Sequence, residues 1–172
     1  MILETQRLCL REYTEADFDA LFEILSDPVT MQHYPKPYDE EGTWRWLRWS
    51  FQNYREHGFG WWAVILKETG EMIGDCGVTI QNIDGEKLPE IGYHFNKKFW
   101  RQGFASEAAR AVRDWAFENT AYDCLYSYMD QTNVGSYCVA QKIGMKRIKE
   151  YTDGDEQLFV YALSKEDWKK IK

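Results

Sequence analysis

The feature that most restricts the fold is a change of rhythm near residue 100. Before it, apolar segments are joined by short turn signals. "WWAVILK" (61–67) runs into "ETGE", "MIGDCGVTI" (72–80) runs into "IDGEK", and "LPEIGYHF" (88–95) follows. Turns of that length join antiparallel neighbours. Beyond it, helical and strand patterns alternate: a helix over 104–118, a strand over 123–129, a helix over 133–144, and strands over 145–151 and 156–164 around "TDGD". Strand–helix–strand spacing makes crossovers between parallel strands. A chain with both rhythms calls for a mixed sheet, parallel only in part.

The segment before residue 60 adds one strand and two helices. "QRLCLRE" (6–12) is the strand. Thr14 with Asp17 three residues on resembles a capping box, and Phe18, Leu21, Phe22 and Leu25 then form one apolar face. A second helix runs from Glu40 to His57, with Trp44, Leu47, Phe51 and Tyr54 on one stripe and Gly58 as the stop. The predicted order is β-α-α-β-β-β-α-β-α-β-β, an α/β chain read as a single domain over residues 1–172, a length that suits one full-sized core.

Composition narrows the partners. A formal net charge of −7 argues against a nucleic-acid partner and is mildly favourable to a cationic one. The longest apolar run, "WWAVIL" (61–66), is far too short for a membrane span, and "MILETQRLCL" lacks the pattern of a signal peptide. Cys9, Cys76, Cys124 and Cys138 are scattered, and His33, His57 and His94 form no ligand pair. The expectation is therefore no metal, no disulfide framework and a cytoplasmic location. The 8 tryptophans exceed what packing usually needs, and Trp44, Trp46 and Trp49 cannot all face one core from a single helix. At least one is expected to line a cleft or a partner surface.

The stretch "FNKKFWRQGFASEAARAVRDWAFEN" concentrates Lys97, Lys98 and Arg101 ahead of Gly103 in an acidic chain. The helix after it carries Ala105, Ala108, Ala109, Val112, Trp115 and Ala116 on one face. A helix start presents free N–H groups and the positive end of a dipole, and glycine removes the Cβ that would block an approaching phosphate. From these residues alone an anion site and a solvated basic connection are equally open. Asn133 is similarly ambiguous, since asparagine is a preferred N-cap.

Four segments in order shift the balance. "EIGYHFNKKFWRQGFASEA" resembles motif A of the GNAT acetyltransferases, with Gly103 and Ala105 at its two small positions and Trp100 where Gln or Arg is usual. "LETQRLCLREYTEADFDALFEILSDPVTMQHYP", "WAVILKETGEMIGDCGV" and "NVGSYCVAQKIGM" resemble the opening, central hairpin and N-x-x-S…K-x-G-F element of the RimJ/RimL-like branch, which acetylates ribosomal-protein N-termini. "YALSKEDW" resembles its ending, so the likeness spans nearly the whole chain.

That resemblance implies a GNAT acyl-CoA N-acyltransferase fold and acetyl-CoA as cosubstrate, without a metal. It implies that backbone N–H groups of Arg101, Gln102, Gly103, Phe104, Ala105 and Ser106 hold the coenzyme A pyrophosphate. Tyr93, His94 and Phe95 would pair with the pantetheine arm as a strand does, one of their N–H groups polarising the thioester carbonyl. Asn133 would contact the same arm, with Ser136 near the sulfur. Many members carry a tyrosine proton donor where this chain has Ala140, so Ser136 stands as the substitute donor or orienter, and Tyr137 is expected to point elsewhere. Glu90, in "PEIGY", is either a solvated strand-end carboxylate or the general base that deprotonates an amine. Asp153, Asp155 and Glu156 make an acidic turn that would border the acceptor.

The function implied is acetyl transfer to a primary amine, on a peptide N-terminus or a small molecule, by direct attack in a ternary complex. A non-catalytic acyl-CoA-binding or sensing domain is the competing class, because the usual tyrosine is missing. Monomer and homodimer are both compatible.

Overall fold

Local capping sets the element ends. The computed structural model describes residues 1–172. Its strands are β1 (Leu3–Glu4), β2 (Leu8–Arg11), β3 (Trp61–Leu66), β4 (Met72–Ile83), β5 (Glu86–Phe95), β6 (Cys124–Asp130), β7 (Lys146–Asp153) and β8 (Glu156–Ser164). Its helices are α1 (Phe18–Leu25), α2 (Glu40–His57), α3 (Phe104–Asn119), α4 (Val134–Lys142) and α5 (Lys165–Ile171). The capping box is present, with the Thr14 amide donating to Asp17 Oδ2 at 2.7 Å. Asp39 caps α2 by accepting from the Gly42 amide at 2.7 Å.

One sheet has the order β1-β2-β3-β4-β5-β6-β8-β7, and only the β5–β6 neighbours are parallel. The mixed sheet expected from the rhythm is therefore what forms. Helices α3, α4 and α5 pack on one face, where Phe104, Ala108, Val112, Ala140 and Trp168 join the larger core. Helices α1 and α2 cover part of the other, where Leu21, Leu25 and Leu47 meet Trp61 and Ala63.

Two elements were absent from the predicted order. The two-residue β1 is too short to show a period. Helix α5 is a full element: Ser164 accepts from the Asp167 amide at 3.1 Å, and Trp168 is buried with its indole N–H on Asp114 at 2.6 Å. The first predicted strand also shrinks from 6–12 to β2.

The stripe expected on α2 is rotated. Leu47 is buried, but Trp44, Phe51 and Tyr54 are only half-buried, while Thr43, Ser50 and Asn53 are hidden. Their polar groups donate to carbonyls of the helix itself, Thr43 Oγ1 to Asp39, Ser50 Oγ to Trp46 and Asn53 Nδ2 to Trp49 at 2.8–3.0 Å. A buried hydroxyl or amide satisfied within its own helix costs little, so polarity is a poor guide to the outer face here.

Candidate active site

Strand alternation splits β5 into two functional faces. Glu90, Gly92 and His94 turn toward α1 and α2, while Ile91, Tyr93 and Phe95 turn toward α3 and α4. Gly92 is required where it stands. A Cβ there would lie 2.2 Å from the Trp61 ring, which occupies the strand surface between Glu90 and His94 and stacks on the imidazole at 5.1 Å.

The opening lies between β5 and β6. These parallel neighbours share one registered pair, Glu90 with Tyr126, and beyond it β5 is partnered only on the β4 side. The expected backbone contacts divide here. The His94 amide donates to Asp75 Oδ1 at 3.0 Å and is spent. By alternation the Tyr93 and Phe95 amides face the opposite, open edge.

The chain then crosses to the head of α3. Gly103 has φ +83° and Arg101 φ +61°, both left-handed. The backbone N–H groups from Arg101 to Ser106 have no acceptor within the protein, and the first helical bond is Glu107 N–H to the Gly103 carbonyl at 3.0 Å. Such a row of inward-curled N–H groups at a helix start suits an anion. Arg7, which the sequence reading missed, braces it, with Nε on Glu107 at 2.7 Å and Nη1 on the Gln102 carbonyl at 3.0 Å.

The two lysines of this loop are engaged in ion pairs, while Arg101 makes none. Lys97 Nζ pairs with Asp27 at 2.6 Å and Lys98 Nζ with Glu23 at 2.6 Å. Both lysines pin the loop to α1 and the turn after it.

On the α4 side, Asn133 caps the helix, its side chain accepting from the Ser136 amide at 3.1 Å. Ser136 Oγ lies 3.3 Å from the Tyr93 hydroxyl, which itself donates to the Ser136 carbonyl at 2.7 Å. Ser136 therefore faces the open edge of β5 in company with a phenol. Ala140 is wholly buried, and Tyr137 stacks on Tyr161 away from this edge, as expected.

Glu90 is only 8% exposed, and burial pushes its carboxyl up to about 8. It acts electrostatically on Tyr34 and Tyr128, and Tyr128 also senses Asp153 and Glu156 of the β7–β8 turn. His94, expected only for its backbone, joins a side-chain network instead. Its Nδ1 is 2.9 Å from Asp75 Oδ1, and its Nε2 is 2.7 Å from the Tyr34 hydroxyl. No cluster of three or more His, Cys, Asp or Glu side chains is placed to hold a metal ion.

Residues 7–146 match the model of the acetyltransferase (GNAT) domain family. The chain belongs to the GNAT acetyltransferase family. A GNAT relative by sequence, the uncharacterized N-acetyltransferase YnaD of Bacillus subtilis, is 30% identical over 98% of this chain and 99% of its own. The uncharacterized protein YkkB of the same organism is 35% identical over 92% of this chain and 93% of its own. The acetyltransferase from Agrobacterium tumefaciens is similar in structure, with a TM-score of 0.82, 33% identity and coverage of 94% and 92%. RimL, described as a ribosomal L7/L12 α-N-protein acetyltransferase in complex with coenzyme A, shares the fold at a TM-score of 0.78 and 20% identity, covering 95% of this chain and 97% of its own.

In this GNAT chain the tryptophans of α2 divide as the helix geometry requires. Trp44 stacks on Phe18 of α1 at 4.4 Å, Trp46 meets His94 edge-on at 5.4 Å, and Trp49 meets Trp46. Trp46 and Trp49 line a cavity of about 430 Å³ together with Lys36, Tyr38, Arg45 and Gln81. Gln81 donates to Thr79, the cross-strand partner of Glu90 on β4. None of the helices is long and apolar enough to cross a membrane.

Proposed function

We propose that this acetyltransferase moves the acetyl group of acetyl-CoA to a primary amine by direct attack in a ternary complex. The observation that carries the reading is the coincidence of three features along β5: an edge unpartnered beyond Glu90, a buried carboxyl at its start, and the open N–H groups of α3 past its end. Coenzyme A is the ligand named in the RimL complex. Acetyl-CoA supplies the activated thioester. The Arg101–Ser106 amides take the pyrophosphate, the Tyr93 and Phe95 amides face the pantetheine arm, and Asn133 borders it. Phe104 contributes its amide only, since its ring is buried in the core and lies under the Arg7 guanidinium.

Glu90 serves as a general base. A carboxylate with a value about 8 is well matched to an α-amine, whose ordinary value is about 7.7–8.0. Ser136 hydrogen-bonds the departing sulfur by turning its one hydroxyl proton away from the Tyr93 oxygen, to which it is donated at 3.3 Å in the resting site. The acceptor enters from the α1–α2 side, a primary amine on a peptide terminus or a small molecule.

Thiol release from acetyl-CoA with a panel of N-terminal peptides, polyamines, aminoglycosides and amino acids tests the reading. Amine-dependent release supports it. Tight acetyl-CoA binding without turnover of any amine would support the sensing alternative.

Two milder variants follow. Ser136→Ala is expected to lower kcat about tenfold with the KM for acetyl-CoA nearly unchanged, since a neutral hydroxyl is a modest partner that water can replace. A kcat equal to wild type ends the donor role. Lys98→Met is expected to change acetyl-CoA affinity less than about threefold, because Lys98 is engaged by Glu23. A tenfold loss by calorimetry would return the lysine to the phosphate site.

A further inference from the structure

A buried carboxylate sits in the middle of the apolar strand "MIGDCGV". Asp75 is 0% exposed, and an apolar residue in its place would give a cheaper core. It is retained with a full set of donors. Tyr13 donates its hydroxyl to Oδ2 at 2.7 Å, and the His94 amide donates to Oδ1 at 3.0 Å. The amide can only donate and the Tyr13 hydroxyl is directed at Oδ2 as a donor, so the carboxylate acts here as an acceptor. The third contact, His94 Nδ1 at 2.9 Å, is then the protonated ring nitrogen. In the neutral ring Nε2 carries the lone pair, and the hydroxyl 2.7 Å away, that of Tyr34, donates to it. The chain Tyr34→His94→Asp75 therefore has one direction, and the Tyr34 oxygen keeps its lone pairs for another donor.

Tyr34 stands where β5 and β6 part. Its neighbour His33 meets Thr132, beyond the end of β6, at 3.2 Å, while Tyr34 meets His94 near the end of β5. Residues 33 and 34 thus bridge the two strands where they part. Tyr34 is 40% exposed, yet its hydroxyl is turned inward within the electrostatic reach of Glu90. The charged and titratable groups facing this chain are Asp75 on β4, Glu90 on β5, Tyr128 on β6, and Tyr13 and Tyr38 from the segments around α1. Trp61 and Trp46 close over the imidazole with uncharged rings.

We infer that the Tyr34 hydroxyl is a catalytic residue that takes a proton from the acceptor ammonium while passing its own to His94, with Asp75 positioning the imidazole. The inference rests on the amine-acetylation reading. One N–H bond of the ammonium breaks and a new O–H bond forms on Tyr34. The original Tyr34 O–H breaks and an N–H forms on His94 Nε2. The imidazolium is stabilised by Asp75 and returns its proton to water by the reverse path after product leaves. Tyr34 never becomes a phenolate, so burial and Glu90, which hold its proton tightly, are no obstacle. The relay also answers a need at neutral pH, where the Glu90 carboxyl is mostly protonated.

The test compares two small acceptors at high concentration: methylamine, protonated at pH 7, and hydroxylamine, already neutral there. Tyr34→Phe keeps the ring and removes one hydroxyl. It is expected to lower kcat/KM for methylamine by about tenfold or more at pH 7 and for hydroxylamine by less than about twofold. The melting temperature falls by a few degrees, because His94 Nε2 loses its partner, and acetyl-CoA affinity stays at the wild-type value. His94→Gln is the second variant. Its amide can accept from Tyr34 and donate to Asp75, but it cannot take up a proton, so it should show the same selective loss. Equal losses with both amines would make Tyr34 a mere acceptor contact and overturn the relay, as would undiminished methylamine turnover in both variants. Wild-type protein that acetylates neither these amines nor any of the panel overturns the acetylation reading and the relay with it.

Discussion

In a Tyr34→Phe background, where the relay is closed, Glu90→Gln is expected to lower kcat/KM for a primary amine about a hundredfold at pH 9 while changing it less than about fivefold at pH 6.5. The glutamine keeps the shape and removes the only proton-accepting group at the start of the open edge. At pH 6.5 the wild-type carboxyl already holds its proton, because burial has pushed it up to about 8, and substitution then removes little. Taking the ratio of double to single variant at each pH cancels the ionisation of the amine. Hundredfold loss at both values would mean a carboxylate ionised throughout. No loss at pH 9 removes Glu90 from proton transfer.

The same substitution has a stability signature of opposite sign. Below about pH 4.5 the carboxyl is protonated in folded and unfolded chains alike, and glutamine brings no advantage. Between about 4.5 and 8 the unfolded chain ionises while the folded one keeps its proton, so wild-type stability falls as pH rises. Glu90→Gln escapes that loss. Its thermal melts should gain on wild type through this window and level off above it, by an amount on the order of a few kcal/mol. A residue that supports activity while costing stability is what a functional carboxylate looks like, whereas a salt-bridged structural one would show the reverse trend.

What could be read ahead of the structure follows how local each signal is. The Thr14–Asp17 cap, the stop at Gly58 and the glycine before α3 are set by residues within a turn of one another, and each appears where the spacing put it. Helix α5 was equally local, since "SKED" is a cap pattern, but the residues after the strand ending at 164 were given no element. The fate of Lys97 and Lys98 was not local. Their partners lie 70 and 75 residues away on the far side of the sheet's first hairpins, and only the fold brings them together. The Tyr34–His94–Asp75 chain needed three segments at once. Its one visible trace was an aspartate inside an apolar strand, a charge that burial makes costly unless something holds it. Glu90 carried the same trace, which is why it was legible as a candidate and Asp75 should have been.

Gly103→Glu is expected to weaken acetyl-CoA binding by more than about tenfold, roughly 1.4 kcal/mol. Two effects act together there. The backbone at φ +83° is left-handed, so any ordinary side chain is strained and the first turn of α3 is driven to reset. The new carboxylate also stands at the mouth of the Arg101–Ser106 amides, where it competes for N–H groups that have no acceptor within the protein. A Cβ at this position has only Arg7 Nη2 nearby, at 3.4 Å, so the side chain itself meets no wall and the fold should survive. Gly103→Asn separates the two effects. Asparagine tolerates left-handed backbone and carries no charge, and it should retain affinity within about threefold. If both variants bind alike and weakly, backbone shape rather than charge governs the site. If the glutamate variant is folded and binds acetyl-CoA as wild type does, the pyrophosphate does not sit on α3, and the basic loop with its two engaged lysines is only a strap between β5 and the helix.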